Sequence, residues 1–186
     1  MQVDTGVGGA RFQILKTQYD GLLSMLRPIA LCDSIAWAAF NGHLNVLRWA
    51  QEHDCPWNDQ VCSYGAAGGH LELLRWAIAN GCPLCESTCV HAAHSGHFHV
   101  LQWAREHGCP WDEETCRGAA GGGYLEMLKW AREHHCPWNE ETCSAAVRGR
   151  HLEVLRWARE HGCPWTAATR DAAATKGYAD SLPLSV

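Results

Sequence analysis

The sequence predicts an all-α fold, an α-solenoid built from short helix-turn-helix repeats. Three observations predict it. Trp49, Trp76, Trp103, Trp130 and Trp157 recur at a fixed step of 27 residues. A Cys-Pro pair behind each tryptophan, from Cys55-Pro56 to Cys163-Pro164, keeps the same step with no insertion. Between these markers the apolar residues fall at helical spacing, broken by a glycine-rich turn. A period of this size is the signature of units that cannot bury their own faces and must stack.

Residues 1–10 hold three glycines and little apolar surface, and read as a tail. From Arg11 to Met25, Phe12, Leu15, Tyr19 and Leu22 lie at helical spacing, a helix that covers the open end of the stack and that Pro28 ends. The division expected is therefore a tail and capping helix over 1–31 and a repeat domain over 32–186, with five full units and a partial sixth.

Each unit reads as a helix A and a helix B. In the copy that begins at Asn139, helix A spans about Glu140 to Arg148. Asn139 is placed to cap it, and Glu140 and Glu141 suit the positive end of the helix dipole; Asn58 and Asp112 hold the same position elsewhere. The core stripe of helix A is a cysteine followed by small residues, as in Cys89 with Ala92 and Ala93 and Cys116 with Ala119 and Ala120, which lets the next helix come close. Gly68-Gly69, Ser95-Gly96 and Gly121-Gly122-Gly123 supply the turn. Arg150 stands where the last of these glycines would be.

Helix B carries Leu152, Val154, Leu155, Trp157 and Ala158 on its apolar side, with Glu153, Arg156, Arg159 and Glu160 toward water. Gly81, Gly108 and Gly162 can stop it in the left-handed conformation. The tryptophans are expected to form a continuous dry row, each removing up to about 250 Å² from water. The sixth helix A, Thr166 to Thr175, puts Arg170 where earlier units have cysteine, which suits a more polar end.

Composition narrows the function. The chain has 186 residues, 47% of them apolar, and a net charge of −5. That balance argues against nucleic acid or an anionic membrane as the main partner, since both require a basic footprint. Nine of the ten tryptophans and nine of the eleven cysteines sit at repeated positions. Equivalent cysteines in stacked units stand about 8–10 Å apart, too far for a disulfide. With an odd number of them and no signal peptide visible, reduced thiols in an intracellular, cytoplasmic protein are the expectation. No run of about 18 apolar residues predicts a membrane span.

Gly42-His-Leu-Asn-Val-Leu, Gly69-His-Leu-Glu-Leu-Leu and the later copies resemble the Gly-His-Leu-Glu-Val-Val segment of ankyrin repeats. The Ala-Ala before the turn matches too, and Gly-Cys-Pro-Trp-Asn stands in place of Gly-Ala-Asp-Val-Asn. The resemblance covers about residues 33 to 180. It departs from the family in its 27-residue period, in lacking the Thr-Pro-Leu-His start of helix A, and in lacking the residues of the projecting β-hairpin, which is expected to be shortened or absent. The resemblance implies a protein-interaction scaffold without enzymatic activity, cofactor or small-molecule substrate.

Two kinds of chemistry compete with that reading. His107 with Cys109, His134 with Cys136, and His161 with Cys163 have the residue types of a nucleophile pair, but catalysis needs one assembled site and these recur in most copies. No unique set of acid, base and nucleophile can be named. The third unit places Cys82, Cys85, Cys89 and His91 within ten residues, a spacing zinc sites use, and supports a zinc-binding or redox-responsive alternative. Only Cys85 and His91 are special to that unit, so no metal is expected.

Binding is left to the outer face of helix A, one, two and five residues after the ladder cysteine. There the units differ from one another, as a constant scaffold with a varied surface requires. The centre of the partner surface is expected at Tyr64, His91, His94, Arg117 and Arg148. Trp37 and Phe40 share that face, but packing on the capping helix accounts for them equally well.

Overall fold

A computed structural model describes residues 28–178 apart from 54, 56 and 57. The expected capping helix over 11–25 and the C-terminal segment after Tyr178 lie outside the described residues. Among the described residues eleven helices follow one another: α1 (Pro28–Phe40), α2 (Leu44–Glu52), α3 (Gln60–Ala67), α4 (Leu71–Ala79), α5 (Glu86–Ser95), α6 (Phe98–Glu106), α7 (Glu113–Gly122), α8 (Leu125–Glu133), α9 (Glu140–Gly149), α10 (Leu152–Glu160) and α11 (Ala167–Thr175). They form five A–B pairs and a sixth helix A, a helical repeat fold with no strand among the described residues. The helix A row α1, α3, α5, α7, α9 and α11 packs side by side, and each helix B packs on its own helix A.

Local chemistry explains the boundaries. Asp112 and Asn139 accept hydrogen bonds from the backbone N–H groups of Glu114 and Glu141 at 3.1 and 2.9 Å, satisfying donors that helix starts leave open. Asn58 accepts likewise from Gln60 at 3.0 Å. Proline opens α1, where its missing N–H costs nothing. At the other end of helix B, His53, His107, His134 and His161 each set Nδ1 2.8 Å from the carbonyl of the tryptophan four residues back. That places the imidazoles at helix C-termini rather than in a shared reaction centre.

The buried row differs from the expected one. Leu47, Leu74, Leu101, Leu128 and Leu155 are completely buried, in the same 27-residue register. Of the five tryptophans only Trp103 is buried, and the other four are half-buried against the core. The dry seam is thus a leucine row with the indoles along its edge. At about 100° per residue, Val154, Leu155 and Ala158 centre the buried stripe of α10, and Trp157 lies about 100° to one side of it. The indoles are covered instead by side chains of their own or the adjacent connection. Trp49 and Trp157 lie against His53 and His161 with ring centroids 4.3 Å apart, and Trp138 meets Trp157 edge-on at 5.9 Å. Arg159 is drawn from solvent in the same way. It lies 4.6 Å from the ring centroid of Trp165 and donates to the Cys163 carbonyl at 2.7 Å. Arg105 and Arg132 repeat this over Trp111 and Trp138 at 4.1 and 4.2 Å, a cation–π contact worth about 0.5–1 kcal/mol or more.

A second contact joins the units. The ring of His70 lies between Gly42 of the preceding turn and Gly68 of its own, and its Nε2 reaches the Phe40 carbonyl at 3.0 Å. His97 makes the same bond to Ala67 at 3.0 Å. The glycine of each preceding turn has positive φ and no Cβ, which is what leaves room for the ring.

Two positions break the glycine rule. His135 (φ 63°) stands where Gly81, Gly108 and Gly162 terminate α4, α6 and α10, and Arg150 (φ 64°) replaces a turn glycine. A left-handed non-glycine residue costs about 1–2 kcal/mol. His135→Gly is therefore expected to stabilise the protein by about 1 kcal/mol, read as a higher urea midpoint. An unchanged or lower midpoint would show that the imidazole contributes more than the strain removes.

Candidate interaction surface

The outer face of the helix A row is built by position. Two and five places after the buried ladder residue some units carry exposed side chains, whereas Ala67, Gly118 and Ala145 at these places are buried. In α1 and α3 the exposed ones are Trp37, Phe40 and Tyr64, at 60%, 46% and 39% exposure. They are the exposed large hydrophobics of the described residues. With Ala36 and Gln60 they line a groove of about 370 Å³.

The five residues expected at the centre of a partner surface fall into three groups. Tyr64 and His91 meet across α3 and α5, ring centroids 5.9 Å apart, and His91 Nδ1 lies 2.6 Å from the Ser87 carbonyl. His94 is exposed in the last turn of α5, where α7 comes close: a Cβ on Gly118 would sit 3.1 Å from the His94 backbone nitrogen. Arg117 and Arg148 each pair inside their own unit. Arg117 Nε donates to Glu114 at 2.6 Å, and Arg148 donates to Ser144 at 2.8 Å and Glu141 at 3.3 Å. A second groove, of about 210 Å³, runs beside Arg148 between α9 and α11 and includes Glu141, Val147 and Thr169.

The zinc alternative brought together Cys82, Cys85, Cys89 and His91; the structure sends them to different partners. The sulfur of Cys82 lies 3.0 Å from that of Cys62, and Cys89 is shifted chiefly by Cys109. Cys85 caps α5, its sulfur 3.5 Å from Ser63 Oγ and 3.8 Å from Thr88 Oγ1. Among the described residues no three or more His, Cys, Asp or Glu side chains gather to hold a metal ion.

Cysteine pairing is the feature the sequence reading missed. It compared cysteines along one ladder, whereas the close approach is between ladders. Cys62 Sγ stands 3.0 Å from Cys82 Sγ, and in the units that follow Cys89 and Cys109, Cys116 and Cys136, and Cys143 and Cys163 are near enough for one thiol to shift the acidity of the other. The signal was a constant offset of 20 residues between helix and loop cysteine.

No family model and no curated protein match the chain. Among solved structures it is similar to the pentatricopeptide repeat protein PPR10 in complex with an 18-nt psaJ RNA element, and to a cysteine-to-serine variant of that complex. Each match has 14% identity and a TM-score of 0.44, and covers 95% of this chain. The chain spans 36% of the length of those proteins. The expectation that charge balance excludes nucleic acid is corrected here, since these helical repeat structures hold RNA. Net charge describes a whole chain, whereas a strand of RNA meets one face. No described helix is long and apolar enough to cross a membrane.

Proposed function

We propose that the chain is a divergent ankyrin-type scaffold without catalytic activity, working inside the cell, that holds a partner protein along the outer face of its helix A row. One observation carries the reading: the exposed large hydrophobics of the described residues all lie on that face, around one groove, instead of being scattered. Aromatic and arginine side chains are the usual anchors of protein interfaces, and Tyr64, His91, His94, Arg117 and Arg148 extend the patch along the stack. The ion pair of Arg117 is half-buried and that of Arg148 exposed, and such surface pairs contribute about 0–1 kcal/mol to folding, so both arginines can exchange partners cheaply.

The test is capture on immobilised protein, with and without ribonuclease, comparing the wild type with a Trp37→Ser, Tyr64→Ser double variant. The expected result is a protein retained by the wild type, insensitive to ribonuclease, and reduced about tenfold or more by the double variant at unchanged circular dichroism. Arg117→Glu with Arg148→Glu should weaken the same capture. Retention unaffected by all four substitutions would place the partner elsewhere, and retention abolished by ribonuclease would make RNA the partner.

A further inference from the structure

We propose that the second to fifth units each carry a dithiol that closes into an internal disulfide, joining Cys62 to Cys82, Cys89 to Cys109, Cys116 to Cys136 and Cys143 to Cys163. This extends the redox-responsive alternative from the third unit to the whole stack. It does not depend on which partner the helix A face holds.

The geometry is repeated and specific. In each pair one cysteine comes from the middle of helix A and the other from the connection after helix B of the same unit. The eight sulfur-bearing residues are buried. Cys62 and Cys82 hold their sulfurs 3.0 Å apart, so about one ångström of approach reaches the bond length of about 2.05 Å. The loop sulfurs are fixed from a second side. Cys82, Cys109, Cys136 and Cys163 donate to the carbonyls of Asn58, Cys85, Asp112 and Asn139 at 3.4, 3.1, 3.3 and 3.4 Å. These carbonyls lie at the start of helix A, so the loop cannot drift from the helix without losing that bond. Ile35 and Arg170 replace the helix cysteine in the first and sixth units.

In three of the pairs the loop thiol is the one that loses its proton more readily, which suits it to be the nucleophile. The hydrogen bond to the partner sulfur, together with burial, pushes Cys62, Cys89 and Cys143 up, while the same bond pulls Cys82, Cys109 and Cys163 below the usual thiol range. In the fourth unit the bond to Cys116 pushes Cys136 up. For Cys109, the Arg105 charge and the Thr88 hydroxyl add to the effect. A thiolate is the nucleophile in such chemistry.

Hydrogen peroxide is the oxidant named. The more acidic thiol loses its proton and its sulfur attacks one peroxide oxygen. An S–O bond forms, the O–O bond breaks, and hydroxide leaves and takes up that proton as water. The second thiol then attacks the sulfenic sulfur. The S–S bond forms, the S–O bond breaks, and the leaving oxygen departs as water with the second thiol's proton. Two electrons pass from the two sulfurs to the peroxide, and each pair loses two hydrogens.

The experiment treats the folded chain with hydrogen peroxide, blocks remaining thiols, and maps the linkages by trypsin and mass spectrometry without reductant. Arg75, Arg105, Lys129 and Arg159 each lie between the members of one pair, while Cys109 shares a tryptic peptide with Cys116 and Cys136 with Cys143, so the linked peptides are fragmented to place each sulfur bond. The expected result is the four linkages within units, with the thermal midpoint rising by about 5–10 °C for a first closed pair. Dithiothreitol should reverse it. Cys109→Ser should remove only the Cys89 linkage. Three outcomes would overturn the proposal: buried pairs that stay reduced while Cys85 alone reacts, linkages that run along a ladder such as Cys89 to Cys116, or linkages that form only in urea.

Discussion

Leu101→Ala is expected to destabilise the protein by about 3–5 kcal/mol, the cost of losing a completely buried leucine and leaving its space unfilled. Leu101 is the middle member of the leucine row, in α6, with no surface exposed. Collapse around the cavity is hindered, because the neighbouring positions are already filled by Val100, Ala104 and Cys109, all fully buried. Trp157→Ala, at the half-buried edge of the same seam, removes a larger side chain and is nevertheless expected to cost less. Solvent already reaches its ring, and Trp138 and His161 can close over the gap. Urea denaturation of both variants decides it. A Trp157→Ala cost equal to or above that of Leu101→Ala would restore the indoles as the seam that holds the stack.

Gly123→Val is expected to cost about 2–5 kcal/mol and to weaken the junction between α7 and the α9–α10 pair. Two effects add. Gly123 has φ 80°, and a left-handed residue with a side chain costs about 1–2 kcal/mol, more when it is β-branched. A Cβ there would also stand 2.4 Å from Nδ1 and 2.8 Å from Cγ of His151, an overlap worth about 1–3 kcal/mol. The histidine cannot simply swing aside, because Gly149 holds its other edge: a Cβ on Gly149 would meet His151 Cδ2 at 2.6 Å. The converse change, Arg150→Gly, puts the favoured residue at the same turn position and should move stability the other way. Hydrogen exchange of α9 and α10 in the valine variant is the direct readout. Protection unchanged from the wild type would show that the ring contact contributes nothing to coupling the units.

Much of this was legible because the repeat has no insertions. A constant step fixes which residues are equivalent, so the caps at Asp112 and Asn139, the turn glycines and the two-helix unit could each be read several times over. The indole row misled for a reason of geometry. Tryptophan is the largest and most regular residue in the period, but Trp157 lies on the shoulder of α10, and Leu155 two residues earlier points inward. The helical wheel contained that information. The cysteine pairs were visible as a number, the offset of 20, but not as a contact, since only the return of the chain from helix B to the start of helix A brings the two sulfurs together. The outer face differs between units in the sequence, and the capture experiment tests whether a partner uses it. Whether Trp37 and Phe40 stand open could not be read, because nothing in a periodic pattern says what covers its first member.

The two rows of the stack are unequal in bulk. Helix A meets its neighbours through alanine, glycine and cysteine, and these helices come close; helix B fills its side with leucine, valine and tryptophan, and the B helices stand farther apart. Each unit is therefore a wedge, thin at A and thick at B. Wedges laid together bend, and the thin edges become the inner arc. A molecule placed in such a hollow would meet more units for a given length than it could on a straight rod, so on the proposed function lengthening or shortening the array by one unit would change how well the curve fits a partner.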